Sequence, residues 1–361
     1  MKNLFPRFSH IYIEREAYNY PLSDFVLSKF HNSSIIDIKH YKDIFNRPGQ
    51  DFQTQKASMK LILAKKPEPF LYPVTDMVQG HHISEFYYTT PMLNCLYNCD
   101  YCFLQGMYPS GNIVIFVNQD DLQNAIINKI DQKNSSQRMI TVSISYNTDL
   151  LAMENFFPLT KSWIDFASNK TNLMIEIRTK SSDFASIKNI SPKDNVILSW
   201  TISPIKISRL YEHNAPPLKQ RMLALNLAIE KGWKVRLCFD PVMYVDDWAE
   251  IYLEFFSNVF HTINGKKLYD ITLGTFRMNK DYFNRIRSRN PKSDIFYSKY
   301  ITEQNTVALQ KDIRNARMLK LKNELSNYVS PDKILIWNEE LNLCNFYPLF
   351  CKKTNDYLGV V

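Results

Sequence analysis

From residue 85 onward the chain alternates short apolar, β-branched runs with longer amphipathic stretches. The runs at 85–90, 139–145, 172–177, 196–201, 233–239 and 268–273 read as strands. Between them, 120–131, 155–167, 217–231, 247–260 and 280–289 repeat their apolar positions at helical spacing, while the third connection, 182–188, is short. Asp183 and Asp247 stand where helices would start. Six such βα units predict a parallel sheet, open or closed into a barrel, because each crossover returns the chain to the same edge. The segment before residue 85 breaks this rhythm, with short strands expected at 11–14, 34–37 and 59–63 around a polar stretch, 46–55. Beyond the last unit, 302–327 reads as one long basic helix and 333–337 as an apolar strand.

Polar residues follow each of the six strands: the cysteine loop 95–102, Tyr146 to Asp149, Thr179 with Lys180, Ser203, Asp240, and Thr275 to Arg277. In a βα architecture these positions share the C-terminal edge of the sheet, so the loops are expected to converge on one pocket. Any one of them is equally a helix cap or a satisfied loop polar group. Composition narrows the class. A chain of 361 residues with 45% hydrophobic and 22% charged positions is globular, neither disordered nor collagen-like. It has 8 glycines and lacks both common glycine-rich nucleotide loops. No run approaches a membrane span, and residues 1–10 lack the apolar core of a signal peptide, so a cytoplasmic protein is expected.

The net charge of +8 is concentrated: residues 277–323 hold 12 basic against 4 acidic positions, interleaved with Tyr282, Phe283, Phe296, Tyr297 and Tyr300. Such a stretch suits a polyanion, most often nucleic acid, and equally a solvated helical face. Six cysteines are too few for a disulfide scaffold, and three of them are clustered as Cys95-Leu-Tyr-Asn-Cys99-Asp-Tyr-Cys102. Three thiols within eight residues ask for a metal. Zinc would need a fourth ligand, which His81 or His82 could supply. A [4Fe–4S] cluster held by three cysteines leaves one iron open to a small chelating ligand.

A C-x3-C-x-aromatic-C loop after the first barrel strand resembles that of the radical S-adenosylmethionine (SAM) enzymes. Five further stretches narrow the likeness: Ile11-Tyr-Ile-Glu14 with Tyr20-Pro-Leu22, Glu176-Ile-Arg-Thr-Lys180-Ser181, Ser199-Trp-Thr-Ile-Ser203, Gly232-Trp-Lys-Val-Arg236, and Asp240-Pro-Val242. Together with Cys99-Asp-Tyr-Cys102-Phe-Leu-Gln105, they resemble the spore photoproduct lyase family from about residue 10 to 280. The resemblance implies a partial (β/α)6 TIM-like radical SAM barrel over 85–290, an N-terminal extension packed on it over 1–84, and a basic C-terminal region, 291–361, in contact with nucleic acid. It implies a [4Fe–4S] cluster on Cys95, Cys99 and Cys102, SAM as cofactor, an external electron donor such as flavodoxin or ferredoxin, and carbon–carbon bond cleavage in a thymine photolesion of DNA.

Residue by residue, the resemblance sets Tyr101 against adenine and Lys180 against the SAM carboxylate, with Thr148, Ser199 and Thr201 as SAM-contacting hydroxyls. Asp149-Leu-Leu-Ala-Met-Glu154 matches the family's D-x-x-A-x-E pattern and counts Asp149 among the cofactor contacts. Two positions depart from the family. The cysteine that returns hydrogen to the substrate radical is Tyr146 here, and the tyrosine after the third cluster cysteine is Phe103. Either the Tyr146 phenol or the Cys238 thiol then donates the hydrogen, or the substrate differs, with Tyr146 as a wall or general acid. Arg277 is a candidate for substrate phosphate or for a structural ion pair. Cys238, Cys344 and Cys351 otherwise read as packing residues, and His213 and His261 as caps or surface groups. The alternatives are a radical SAM enzyme for another nucleotide, nucleic acid or small molecule, and a non-enzymatic, metal-bearing nucleic-acid-binding protein.

Overall fold

The computed structural model describes residues 8–74, 85–132 and 139–336. His81, His82, Trp337, Cys344 and Cys351 lie outside the described residues, and with them the zinc-ligand and packing readings placed there. The chain begins with β1 (His10–Glu14), α1 (Pro21–Lys29), β2 (Ser34–Ile38), α2 (Lys42–Phe45), α3 (Phe52–Ala57), β3 (Leu61–Ala64) and β4 (Leu71–Pro73). Proline opens α1, where a missing N–H costs nothing, and Asp51 caps α3 by accepting from the Thr54 amide at 3.0 Å. Next come β5 (Phe86–Thr89), β6 (Met92–Leu93), β7 (Asn98–Cys99), α4 (Phe103–Met107), β8 (Ile113–Phe116) and α5 (Gln119–Asp131). Then follow β9 (Ile140–Ser143), α6 (Leu150–Met153), α7 (Leu159–Ser168), β10 (Leu173–Thr179), β11 (Val196–Thr201), α8 (Ile205–Tyr211), β12 (Glu212–His213), α9 (Leu218–Lys231), β13 (Lys234–Val242), α10 (Trp248–Thr262) and β14 (Asp270–Thr275). The last elements are β15 (Arg277–Asn279), α11 (Lys280–Arg289), β16 (Ile301–Glu303), β17 (Thr306–Ala308), α12 (Lys311–Leu325) and β18 (Ile334–Ile336).

The six expected strands are consecutive neighbours in one sheet of order β4-β5-β9-β10-β11-β13-β14-β18, parallel throughout except for β4 against β5. One face of this sheet is apolar, and Trp163, Trp200, Phe239 and Phe256 are fully buried in the main core. The other face is polar. Arg178 registers with Ser199, Ser199 with Arg236, and Arg236 with Asp270, while Thr201 registers with Cys238 and Cys238 with Thr272. Side chains alternate along a strand, so these residues share one face. Arg236 bridges Asp270 at 2.5 and 2.6 Å and Glu176 at 3.3 Å, which compensates the burial of these charges.

The N-terminal segment builds a second sheet of order β2-β1-β3-β8-β6, parallel except for β6 against β8. Strands β6 and β8 flank the cysteine loop in sequence and pair with each other in this sheet, while β5, just before β6, belongs to the larger sheet. The run Ile113-Val-Ile-Phe116 is buried at every position. It carries no alternation to announce a strand, and sequence periodicity passed over it.

The expected single helix over 302–327 is replaced by the β16–β17 hairpin followed by α12 from Lys311. Gln304 and Asn305 take φ values of 43° and 67°, the two left-handed positions of a tight two-residue hairpin turn, which reverse the chain before a helix can start. Asp247 precedes α10 and Asp183 a 3-10 turn at 184–187, though neither side chain caps its helix. Among the described residues no helix is long and apolar enough to cross a membrane.

Candidate active site

The cysteine loop is held from four directions. Asn94, at φ 69°, turns the chain out of β6, and its amide donates to the carbonyls of Ser110 and Asn112 at 2.7 and 2.6 Å. Strand β7 pairs antiparallel with β12, placing Cys99 opposite Glu212, and the Asp100 amide donates to the Tyr211 carbonyl at 2.8 Å. Asp100 also accepts from Ser293 at 2.7 Å and pairs with His213 at 3.1 Å. From α3, Gln53 accepts from Asn98 at 2.8 Å and donates to Asn290 at 2.6 Å, while Lys56 donates to the Cys95 carbonyl. From α11, Arg289 donates to the carbonyls of Gln105 and Tyr108 and Arg285 to that of Gly106, at the end of α4. A Cβ on Gly106 would meet Tyr282 at 2.4 Å, so glycine alone lets α4 and α11 touch.

Cys95, Cys99 and Cys102 are free. Burial pushes the Cys95 thiol up to about 12 and raises Cys99 and Cys102, with mutual repulsion adding to the rise at Cys95 and Cys99. As free thiols they are therefore neutral; positively charged iron would make them thiolates. Among the described residues no three His, Cys, Asp or Glu side chains converge as ligands of a single ion, the three cysteines included. A cluster asks for something else, one thiolate on each of three irons. The donor set, one loop of three sulfurs with cations beside it, fits that demand.

Lys180 lies beyond the end of β10, with its ammonium 5.3 Å from the centre of the Tyr101 ring. Burial alone would lower its pKa, but Cys99 and Glu212 outweigh it and hold the ammonium charged. Asp149 sets this position: its carboxylate accepts from the Lys180 amide and the Thr179 hydroxyl, both at 2.7 Å, and from the Ala152 amide at 3.1 Å. Both Asp149 oxygens thus accept from the protein, which fixes the backbone at Lys180. Tyr101 is buried and donates to Glu212, which also accepts from Ser203 at 3.1 Å and pairs with Arg221 at 2.5 Å. Lys180 and Arg221 hold Glu212 below the usual carboxylate range although burial opposes them. The hydroxyls of Thr148 and Ser199 are buried without a hydrogen-bond partner. Thr201 is buried as well.

Tyr146 packs between Tyr88 at 4.4 Å and Phe103, the residue after the third cysteine, at 5.3 Å, centroid to centroid. Burial, with Tyr88 and Tyr282 nearby, pushes its phenol up to about 12. Cys238 is fully buried on the polar face of the barrel sheet, where burial raises its thiol despite Arg178. Its complete burial accords with the packing reading, and its register with Thr201 and Thr272 sets it on the polar face. Arg277 makes a bidentate pair with Asp240 at 2.9 and 3.3 Å, which realises the structural alternative. Sequence reasoning missed Lys56, Gln53, Glu212 and Arg221. Each is distant in the chain from the loop it serves and carries no motif; a buried charge is legible only once its neighbours are known.

Comparisons with known proteins bear on the family and the fold. The family model described as "Spore photoproduct lyase" matches residues 6–306. The spore photoproduct lyase of Clostridium acetobutylicum is 22% identical over 275 residues, covering 74% of this chain and 77% of that protein. That of Bacillus subtilis is 20% identical over 292 residues, covering 79% and 83%. Among solved structures, a spore photoproduct lyase variant with bound AdoMet and dinucleoside spore photoproduct superposes with a TM-score of 0.79 at 17% identity, covering 92% of this chain and 98% of that one. A spore photoproduct lyase complexed with the dinucleoside lesion gives 0.79 at 16% identity, covering 92% and 99%.

Proposed function

Because this chain belongs to the spore photoproduct lyase family of radical SAM enzymes, we propose that it repairs a thymine photolesion in DNA, with Cys95, Cys99 and Cys102 as the ligands of its [4Fe–4S] cluster. When bound, the cluster and SAM supply one-electron cleavage of the sulfonium and so a hydrogen-abstracting carbon radical; the electron comes from an external donor such as flavodoxin or ferredoxin. The observation that carries the reading is the clamped three-cysteine loop, with the Lys180 ammonium over Tyr101 beside it and two unpartnered hydroxyls nearby. Lys180 offers the SAM carboxylate a charge-assisted partner, Thr148 and Ser199 offer it hydroxyls, and Tyr101 offers adenine a flat face. A reducing compartment, the cytoplasm, suits a site built on free thiols.

Tyr146 is the hydrogen donor. Its O–H bond breaks as the substrate carbon gains the hydrogen, leaving a phenoxyl radical flanked by Tyr88 and Phe103. Its raised pKa keeps the phenol protonated, and therefore able to donate, throughout the neutral range. Cys238 is the lesser candidate because the polar face of the barrel sheet encloses it completely. The test is one anaerobic assay of reconstituted, reduced protein with SAM and the spore photoproduct dinucleotide, reading 5′-deoxyadenosine and repaired thymidylyl-thymidine together. Both products are expected above the no-SAM control, and Cys99→Ala loses both. Deoxyadenosine without repair overturns the lesion assignment and leaves the SAM chemistry standing.

A further inference from the structure

Lys56 has no place in the reading above, yet it is one of the few lysines buried in the described molecule. It lies in the last turn of the short helix α3, in the N-terminal segment that precedes the six βα units. Its ammonium donates to the Cys95 carbonyl and lies 3.8 Å from the Met59 sulfur. No carboxylate of the described residues pairs with it. Burial lowers the pKa of this ammonium, and Cys95, Cys102 and Cys99 are the groups that oppose the fall. A buried cation facing three neutral thiols is a costly arrangement, whereas the same cation facing three thiolates is a favourable one.

The helix that carries Lys56 is held to close tolerance. A Cβ on Gly111 would meet the Phe52 carbonyl at 2.7 Å and the Lys56 amide at 3.0 Å, so α3 is pressed against the 110–112 turn. Gln55 accepts from the Gly111 amide and the Ser110 hydroxyl, both at 2.8 Å, and Gln53 reaches Asn98 inside the loop. The side chain between them is therefore placed, not free to swing towards solvent.

We propose that Lys56 is a resident counter-charge of the cysteine loop, a positioning residue whose fixed ammonium makes the bound cluster easier to reduce. The proposal rests on the reading that the three cysteines hold a [4Fe–4S] cluster. Reduction adds one electron, taken from the external donor, and an ammonium held on the Cys95 carbonyl favours the more negative state of the cluster. Lys180 answers chiefly to Cys99 and Glu212, so the two lysines serve different parts of the loop.

The experiment compares the full-length wild type with Lys56→Met, Lys56→Gln and Lys56→Arg, each reconstituted anaerobically with iron and sulfide. Readouts are iron content, the melting temperature of the iron-free protein, and the cluster midpoint potential by redox titration followed by electron paramagnetic resonance, without SAM. The Met and Gln variants should take up iron, show a more negative midpoint than wild type, and melt no lower than wild type when iron-free. The Arg variant should restore most of the wild-type midpoint. Equal midpoints in all four proteins overturn the proposal, as does a shift in Met that Gln abolishes, since Gln keeps a hydrogen-bond donor without the charge. If Met fails to fold, Gln against Arg decides. A wild type that takes up no cluster sinks the underlying cofactor reading, and this proposal with it.

Discussion

Tyr146 shows how much chemistry one position carries. Its phenol sits between two rings, Tyr88 and Phe103, of which only Tyr88 carries an O–H of its own. Tyr146→Phe removes only the O–H. SAM cleavage should persist within about twofold while repaired product falls by about tenfold or more, the pattern of an interaction made only in the reacting state. Equal product from both proteins would transfer the donor role to another residue. Lys180→Ala loses a charge-assisted contact of about 1.5–3 kcal/mol, so SAM affinity should drop by at least about tenfold at unchanged iron content, read by equilibrium dialysis. The cysteines, Tyr101 and Lys180 were legible because motif and spacing are local. Glu212, which accepts the Tyr101 hydroxyl and a salt bridge from Arg221, was not, because nothing in its own neighbourhood of sequence marks it.

Among the elements, the contact of α4 with α11 and the start of α7 each turn on one residue. Gly106→Ala would drive a methyl group into the Tyr282 backbone, at a cost of about 1–3 kcal/mol. Its melting temperature should fall, and iron retention with it, because α4 follows directly from Cys102. Glu154 accepts from the Thr160 and Lys161 amides at 2.6 and 3.1 Å, satisfying the first turn of α7. Burial nevertheless raises its carboxyl to about 7 from 4.5. A raised acid is held more tightly by protons in the folded state. Its contribution is fully present below pH 4.5 and is lost as pH rises through about 7. Urea unfolding at pH 4.5 and pH 8 should show wild type losing stability relative to Glu154→Gln, on the order of 2–3 kcal/mol. A pH-independent difference would show that the carboxyl titrates normally. The six strands and the helices between them were legible from periodicity; β8 and the β16–β17 hairpin were not, one being uniformly apolar and the other turning on two left-handed residues.

Across the whole molecule, the basic stretch 277–323 divides between interior and surface. Arg277, Arg289, Arg314 and Arg317 are engaged internally, with Asp240, with the carbonyls of α4, with the Leu309 carbonyl, and with the rings of Tyr244 and Trp248, while the exposed Arg285 reaches the Gly106 carbonyl. Lys280, Arg287, Lys292 and Lys299 remain exposed. Replacing Lys292 and Lys299 by alanine should weaken DNA binding uniformly across sequences and reduce the slope of log affinity against log salt by about 2, measured by fluorescence anisotropy. An unchanged slope would move the nucleic-acid surface elsewhere. Charge counting could not separate the two groups of cations, since a side chain's partner is chosen by the fold. By itself the sequence determined the alternation of strands and helices, the three-cysteine loop, and the edge at which the loops converge, because these follow from local periodicity and from spacing within a few residues. Only the tertiary structure decided that the N-terminal segment forms a second sheet with β6 and β8. It alone brought Lys56 to the Cys95 carbonyl, Glu212 to Tyr101, and Arg277 to Asp240, because burying a charge depends on partners tens to hundreds of residues away that only the folded core brings within reach.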